Sequence, residues 1–241
     1  PPRSTLFPYT TLFRSPNNKT WMLEHNITKP IDILYNWINT DPIKIRPSFH
    51  RKLLNLEDKV VYFYGGNIGL SQDMLNIIRL AKNMQDEPKA HFLIVGDGDE
   101  VNTVKKSIED NHLKNVTLLP LVSNDVHSDM LNEFDVGLIS LHRNHTTHNI
   151  PGKLLKFMSS SKPILGSVNN GNDLLTMIPE YDSGFITING DDDGFKTNAI
   201  KMMNEGIRKR LGSNSRKLFV DYFTTERAVT DILKMYHGLN I

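Results

Sequence analysis

The chain has 241 residues, 39% hydrophobic and 23% charged, with 28 basic against 27 acidic residues and a formal net charge of +1. This is ordinary globular composition for one large domain or two small ones, and the charge balance argues against a dedicated nucleic-acid binder, which usually shows a basic excess. Cysteine is absent, which removes disulfides, zinc–thiolate sites and thiol nucleophiles and fits a reducing, cytoplasmic compartment.

The first 15 residues, PPRSTLFPYTTLFRS, contain no acid and carry TLF twice. A secretory signal needs an uninterrupted apolar run of about 7 to 15 residues, and Pro8, Tyr9, Thr10 and Thr11 break it here. Thr5 to Ser15 coincide with the translation of a widely used sequencing-library adapter. Residues 1–15 are therefore expected to be an artefact without ordered structure, with a genuine amino terminus as the alternative. Residues 16–59 read as a linker: PIDILYNWIN suggests one short strand, followed by the Pro-punctuated DPIKIRPS and by HRKLLNLED.

From residue 60 short apolar runs alternate with longer amphipathic ones. KVVYFYG, HFLIVGDG, NVTLLP, DVGLISL, KPILGS and SGFITI are each closed by turn residues or polar loops, as strands buried on both faces are. Between them, helical spacing runs through SQDMLNIIRLAKNM, DEVNTVKKSIEDN, SDMLNEF, PGKLLKFMSS and NDLLTMI. This alternation predicts an α/β protein with a Rossmann-like, doubly wound parallel sheet of about six strands over residues 60–190. Residues 191–241 read as helical: GFKTNAIKMMNEGIRKRLG, then SNSRKLFVDYF, then TTERAVTDILKMYHG with Thr224 or Thr225 as its cap. The longest apolar stretches, VVYFY and FLIV, fall far short of the roughly 20 residues of a membrane span.

In such sheets ligands gather beyond the carboxyl ends of the strands, where helix N-termini aim N–H groups into the crevice. YGGNIGLSQD places Gly65, Gly66, Asn67, Ile68 and Gly69 between a strand and a helix, where backbone can approach a phosphate; a tight structural turn is the competing reading. The spacing fits neither G-x-G-x-x-G nor a Walker loop, which disfavours nicotinamide dehydrogenases and P-loop NTPases. VGDGDE contributes Gly96 and Asp97, with acids that would be solvated or would cap the next helix. In HNIPGKLLKFMSSSKPILGSVNNGNDLL, Pro151 suits the first helical position with Asn149 before it, and a second helix opens after Asn170, Gly171, Asn172 and Asp173. Two helix N-termini are thus expected to converge as an anion site. Lys153 lies in the first turn, where a cation opposes the helix dipole unless an anion is bound.

Taken in order, GGNIG, GDG, DVGLISL, NIPGKLLKFM, KPILGSVNNGND and the closing helices resemble the carboxyl-terminal, donor-binding domain of family 4 glycosyltransferases. The resemblance runs from about residue 20 to residue 238 and is strongest to the bacterial branch that builds surface polysaccharides. It implies the C-terminal half of a GT-B fold. The loop from Gly65 to Gly69 and the turn from Asn170 to Asp173 would surround the donor diphosphate and sugar, Pro120, Leu121 and Val122 would lie against the base, and Gly96 and Asp97 would be further substrate-binding residues. Ile150, Pro151 and Gly152 would open the helix that carries the family's Glu-x7-Glu element. Here His148 stands at the first Glu and Lys156 at the second. Lys156 accepts no hydrogen bond from a ribose hydroxyl, so His148, Lys153 and Lys156 are expected to act on phosphate or sugar. The Arg and Lys that commonly follow the first strand are absent as well, which shifts the burden to backbone N–H groups and these side chains.

The resemblance further implies a UDP-sugar as favoured donor, no metal or cofactor, and retention at the anomeric carbon. A glycan or lipid-linked acceptor would be held by the other, N-terminal domain of the fold, and contact with the inner face of a membrane would be peripheral. A fragment without that domain would bind donor and transfer negligibly. A nucleotide-sugar 2-epimerase of the same fold and a non-catalytic nucleotide-sugar-binding module are the alternatives. Two further patterns are not read as metal sites. HRNHTTH spaces His142, His145 and His148 evenly with no carboxylate nearby, and NGDDDGF starts like an EF-hand loop but has Ile200 where the bidentate Glu belongs; it is read as a solvated turn.

Overall fold

The structure, a computed structural model, describes residues 11–13, 15–26, 31–39, 49–145 and 150–238. In chain order, β1 (Thr11–Phe13), α1 (Pro16–Glu24), β2 (Ile31–Ile33) and a short α2 (His50–Leu53) come first. Then β3 (Val60–Asn67), α3 (Met74–Asn83), β4 (Ala90–Asp97), α4 (Val101–Asp110), β5 (Val116–Leu119) and α5 (Asn124–Glu133) alternate. They continue as β6 (Val136–Ser140), α6 (Gly152–Ser159), β7 (Ile164–Val168), α7 (Leu174–Glu180) and β8 (Gly184–Ile188), and α8 (Asp192–Lys201), α9 (Glu205–Tyr222) and α10 (Thr225–Gly238) close the chain.

The six expected strands form one parallel sheet in the order β5-β4-β3-β6-β7-β8. Period-two alternation divides its side chains between two cores. Val61 and Phe63 of β3 pack on one face with Leu93, Phe134, Leu154 and Phe157, while Tyr62 and Tyr64 pack on the other with Ile77, Phe92, Ile94 and Val104. Burial on both faces is why β3, β4, β6 and β7 read as continuous apolar runs, whereas the edge strands β5 and β8 are only partly covered. From β3 the chain steps outward through β4 and β5, then returns to β6 on β3's other side. The order therefore reverses at the boundary between β3 and β6, where a doubly wound sheet opens its crevice.

The terminal helices complete this core: Phe195, Ala199 and Leu211 enter one face, and Leu218, Phe219 and Phe223 the other. Their boundaries differ from expectation. The break falls at Met202 to Asn204, where the Asn204 side chain accepts from Ile207 N at 3.0 Å and caps α9, which then runs unbroken through Gly212. Gly212 is there for close approach, since a Cβ would run into the Ser161 carbonyl oxygen. Thr224 caps α10, its hydroxyl accepting from Arg227 N at 3.1 Å. The NGDDDG stretch is a helix start, not a solvated turn: Asp191 accepts from Gly194 N at 2.9 Å and caps α8. Among the described residues no helix is long and apolar enough to cross a membrane.

The segment before residue 60 differs from expectation too. Thr11–Phe13, within the stretch expected to lack structure, pairs in parallel with Ile31–Ile33 as a two-stranded sheet separate from the main one. Ile38 bridges to Thr224, and Tyr35 lies edge-on to Tyr222 and Phe223. Arg51 anchors α2, donating to the carbonyls of Leu56, Lys59 and Glu133 and to the Asp135 carboxylate at 2.7 to 3.0 Å. The Glu133 carboxylate in turn accepts from the backbone N–H groups of Phe49, His50 and Arg51.

Candidate functional site

The ends of β3 and β4 meet residue against residue, Gly66 beside Gly96 and Asn67 beside Asp97. Gly96 is required by its neighbour, because a Cβ there would strike the Gly66 carbonyl oxygen. Gly98, at φ +149°, likewise leaves room for the Ile68 carbonyl, which accepts from Glu100 N at 3.0 Å. Ile68 is fully buried and donates its N–H to the Asp97 carbonyl at 2.8 Å, while the Asp97 side chain accepts from Gly98 N at 2.8 Å. Ile68, Gly96 and Asp97 thus spend their backbone groups holding two loops together. Asn67 is exposed, with its amide on Gln72 at 2.9 Å and its carbonyl accepting from the Tyr64 hydroxyl. Gly69 is buried at the start of the turn Leu70–Gln72.

Gly65 and Gly66 stand apart from this packing. Two side chains from other elements close on them: the imidazole of His127, on α5, fills the space a Gly65 Cβ would need, and the Lys153 ammonium lies 3.4 Å from a Cβ built on Gly66. Lys153 Nζ also lies 3.5 Å from the centroid of the Tyr64 ring. It is shut from solvent and has no hydrogen-bond partner among the described residues, and burial pulls its pKa down to about 7. His127 Nδ1 is likewise buried without a partner among the described residues. Burial, with the charges of Lys156 and Lys153 adding to it, lowers the imidazole to about 4 and leaves it neutral at pH 7. Lys156 is half-buried one turn after Lys153 on α6.

Pro151 occupies the cap position of α6, one residue earlier than expected, and its carbonyl accepts from Leu154 N at 2.9 Å. Ile150 is buried behind it, whereas Gly152 faces open space, with nothing within 4 Å of a Cβ built on it. Pro151 supplies no side-chain cap, so the first N–H groups of α6 lack the acceptor that an Asn or Ser would give them. His148 and Asn149 lie outside the described residues.

The second expected helix terminus is different. Asn172 is buried, accepts from Leu174 N at 3.1 Å and donates to Asn169 at 3.2 Å, while Leu175 N and Thr176 N are taken by the carbonyls of Asn172 and Asp173. The start of α7 therefore satisfies its own donors, whereas the start of α6 has no side-chain cap. The turn from Asn170 to Asp173 is held instead by α1: Asn17 donates its backbone N–H to the Asp173 carboxylate at 3.2 Å and its side-chain amide to the Gly171 carbonyl at 2.6 Å. Gly171, at φ +75°, makes that turn possible. Beyond β5, Pro120 and Leu121 are exposed, Leu121 to 64%, and Val122 packs on the core just before Ser123 caps α5. No group of residues that could hold a metal ion occurs among those described.

The structure therefore gathers Gly65, Gly66, Lys153, Lys156 and the start of α6 at one edge, with Asn170 to Asp173 on the next strand. Sequence reading missed His127, Tyr64 and Asn17. His127 sits at helical spacing with Val126, Met130, Leu131 and Phe134, all in or against the core, so its only signal was an imidazole in an apolar stripe.

A family described as Glycosyl transferases group 1 matches residues 45–218. The chain is 27% identical over 172 residues to "Probable glycosyltransferase WbjE" of Pseudomonas aeruginosa, covering 68% of this chain and 42% of that protein. It is 33% identical over 110 residues to "Putative colanic acid biosynthesis glycosyl transferase WcaI" of Escherichia coli (strain K12), covering 45% and 27%. These matched stretches amount to less than half of either relative's length. The crystal structure of Anabaena HepE in complex with UDP superposes with a TM-score of 0.76 at 16% identity, over 95% of this chain and 63% of that one. That likeness is one of fold: the six-stranded parallel sheet matches a GT-B glycosyltransferase structure. With more than half of its residues matched, the chain belongs to the glycosyl transferases group 1 family.

Proposed function

We propose that the chain is the donor-binding half of a family 4 glycosyltransferase that moves a sugar from a nucleotide diphosphate sugar to a glycan or lipid-linked acceptor in surface polysaccharide synthesis. The observation that carries the reading is Lys153: a buried ammonium without a hydrogen-bond acceptor among the described residues, held against Gly66 and Tyr64 at the sheet's reversal point beside the uncapped start of α6. A diphosphate would supply the missing acceptors and the opposite charge. A UDP-sugar is the favoured donor, a reading supported by the UDP bound in the HepE structure. WcaI's description as a colanic acid biosynthesis transferase supports the acceptor class.

During transfer, negative charge builds on the departing diphosphate, and groups already aimed at it stabilise that charge more than they stabilise the bound donor. Lys153 and the first N–H groups of α6 take that role, with Lys156 one turn behind. The exposed Leu121 would lie against the base. Attack by an acceptor hydroxyl requires the facing lobe of the GT-B fold, and retention at the anomeric carbon belongs to the same proposal, as does a place in the cytoplasm at the inner face of a membrane. Calorimetric titration with UDP, GDP and their sugars tests the reading. Saturable binding of UDP is expected, and no binding of any of them by the folded chain overturns it.

A further inference from the structure

His127 and Lys153, each with a buried polar atom (Nδ1 and Nζ) that has no partner among the described residues, come from different helices and pack on consecutive glycines, the imidazole with its Nε2 against Gly65 and the ammonium against Gly66. Each unpaired buried group is costly by itself. An apolar residue at position 127 would fill the stripe formed by Val126, Met130 and Leu131 without that cost. The imidazole ring is wedged between Phe63, with centroids 5.4 Å apart, and the backbone of Gly65. The charges that act on it are those of Lys156 and Lys153, both on α6. The imidazole and the ammonium thus flank the end of β3, and the ligand chemistry that would accept from both is an anion carrying several oxygens.

We propose that His127 is a further contact for the donor's diphosphate, its imidazole and the Lys153 ammonium closing on the same phosphate from two helices across the end of β3. The proposal rests on the donor-site reading above. It explains why residue 65 is glycine: the ring needs the space of a Cβ there to reach the strand end. Neutral in the empty site, the imidazole offers one N–H, and a phosphate alongside would favour its taking a second proton.

UDP and uridine are titrated into the wild-type chain and into His127→Phe, His127→Leu and His127→Gln, with thermal unfolding as the check on folding. Removal of the imidazole by Phe or Leu is expected to weaken UDP about tenfold, the loss of one hydrogen bond to a charged group, and to leave uridine unchanged. His127→Gln, which keeps an N–H, is expected to recover most of the loss. UDP affinity unchanged in a folded Phe or Leu variant, or equal losses for UDP and uridine, overturns the proposal, the second result marking His127 as packing alone. Absence of UDP binding by the wild-type chain overturns the donor-site reading with it; UDP binding indifferent to residue 127 overturns this proposal and leaves that reading standing.

Discussion

Replacing Lys153 by methionine separates the stability of the empty chain from its capacity for anions. Burial takes the ammonium from 10.5 to about 7, and at about 1.4 kcal/mol for each factor of ten the difference amounts to about 5 kcal/mol against folding with the lysine charged. The face of Tyr64, 3.5 Å away, offsets about 2 kcal/mol of this as a desolvated cation–π contact and leaves about 3 kcal/mol. The sign follows from linkage. Because the folded-state value is the lower one, the unfolded chain binds more protons between about pH 7 and 10.5, so stability rises with pH across that window and the cost is full below it. Lys153→Met keeps the apolar stem and removes the charge. Urea unfolding at pH 6 is expected to find the variant more stable by about 3 kcal/mol, or roughly 6 to 10 °C in Tm for a chain of this size. The advantage should shrink as the pH approaches 10. UDP affinity should fall about 100-fold, the loss of a charge-assisted pair. A variant less stable than wild type at pH 6, or one that binds UDP equally well, refutes the reasoning.

Two glycine substitutions test the packing that shapes the site. Alanine favours a helix interior over glycine by about 1 kcal/mol, yet Gly212→Ala would drive a Cβ into the Ser161 carbonyl. Urea unfolding should therefore show a net loss of about 2 kcal/mol, and a gain would contradict the close approach of α9. Gly96→Ala would force apart the ends of β3 and β4 at the Gly66 carbonyl, with an expected loss of about 3 kcal/mol. UDP binding, read by calorimetry, should weaken with it, and normal stability with normal binding would contradict the fused-loop arrangement.

The sheet was legible because its strands carry short continuous apolar runs closed by turn residues or polar loops, and all six appear where those runs lie. Helix ends were less so. Gly212 carries the usual signal of a terminator, but its reason is a carbonyl supplied by the loop after α6, which helical periodicity does not register. The true break rests on one side chain, Asn204. The glycine loops do lie at the end of the sheet where Lys153 and His127 pack, although Gly96 and Gly98 serve loop packing while Gly65 and Gly66 make room for side chains from α5 and α6. The charge of Lys153 against the helix dipole was visible in one dimension. Its burial without a partner among the described residues was not, since that depends on Tyr64 and Gly66, which only the fold brings against it. Likewise Asn17 reaches the Asn170 to Asp173 turn from 156 residues away, beyond any local signal.

Hydrogen exchange of the wild-type chain, with and without saturating UDP, tests the central claim most directly. The account predicts slowed exchange at Gly65, Gly66 and the first turn of α6, with α4 and α10 unchanged. Exchange unaltered across β3 and α6 at UDP concentrations that saturate the chain, or protection confined to other elements, would contradict it.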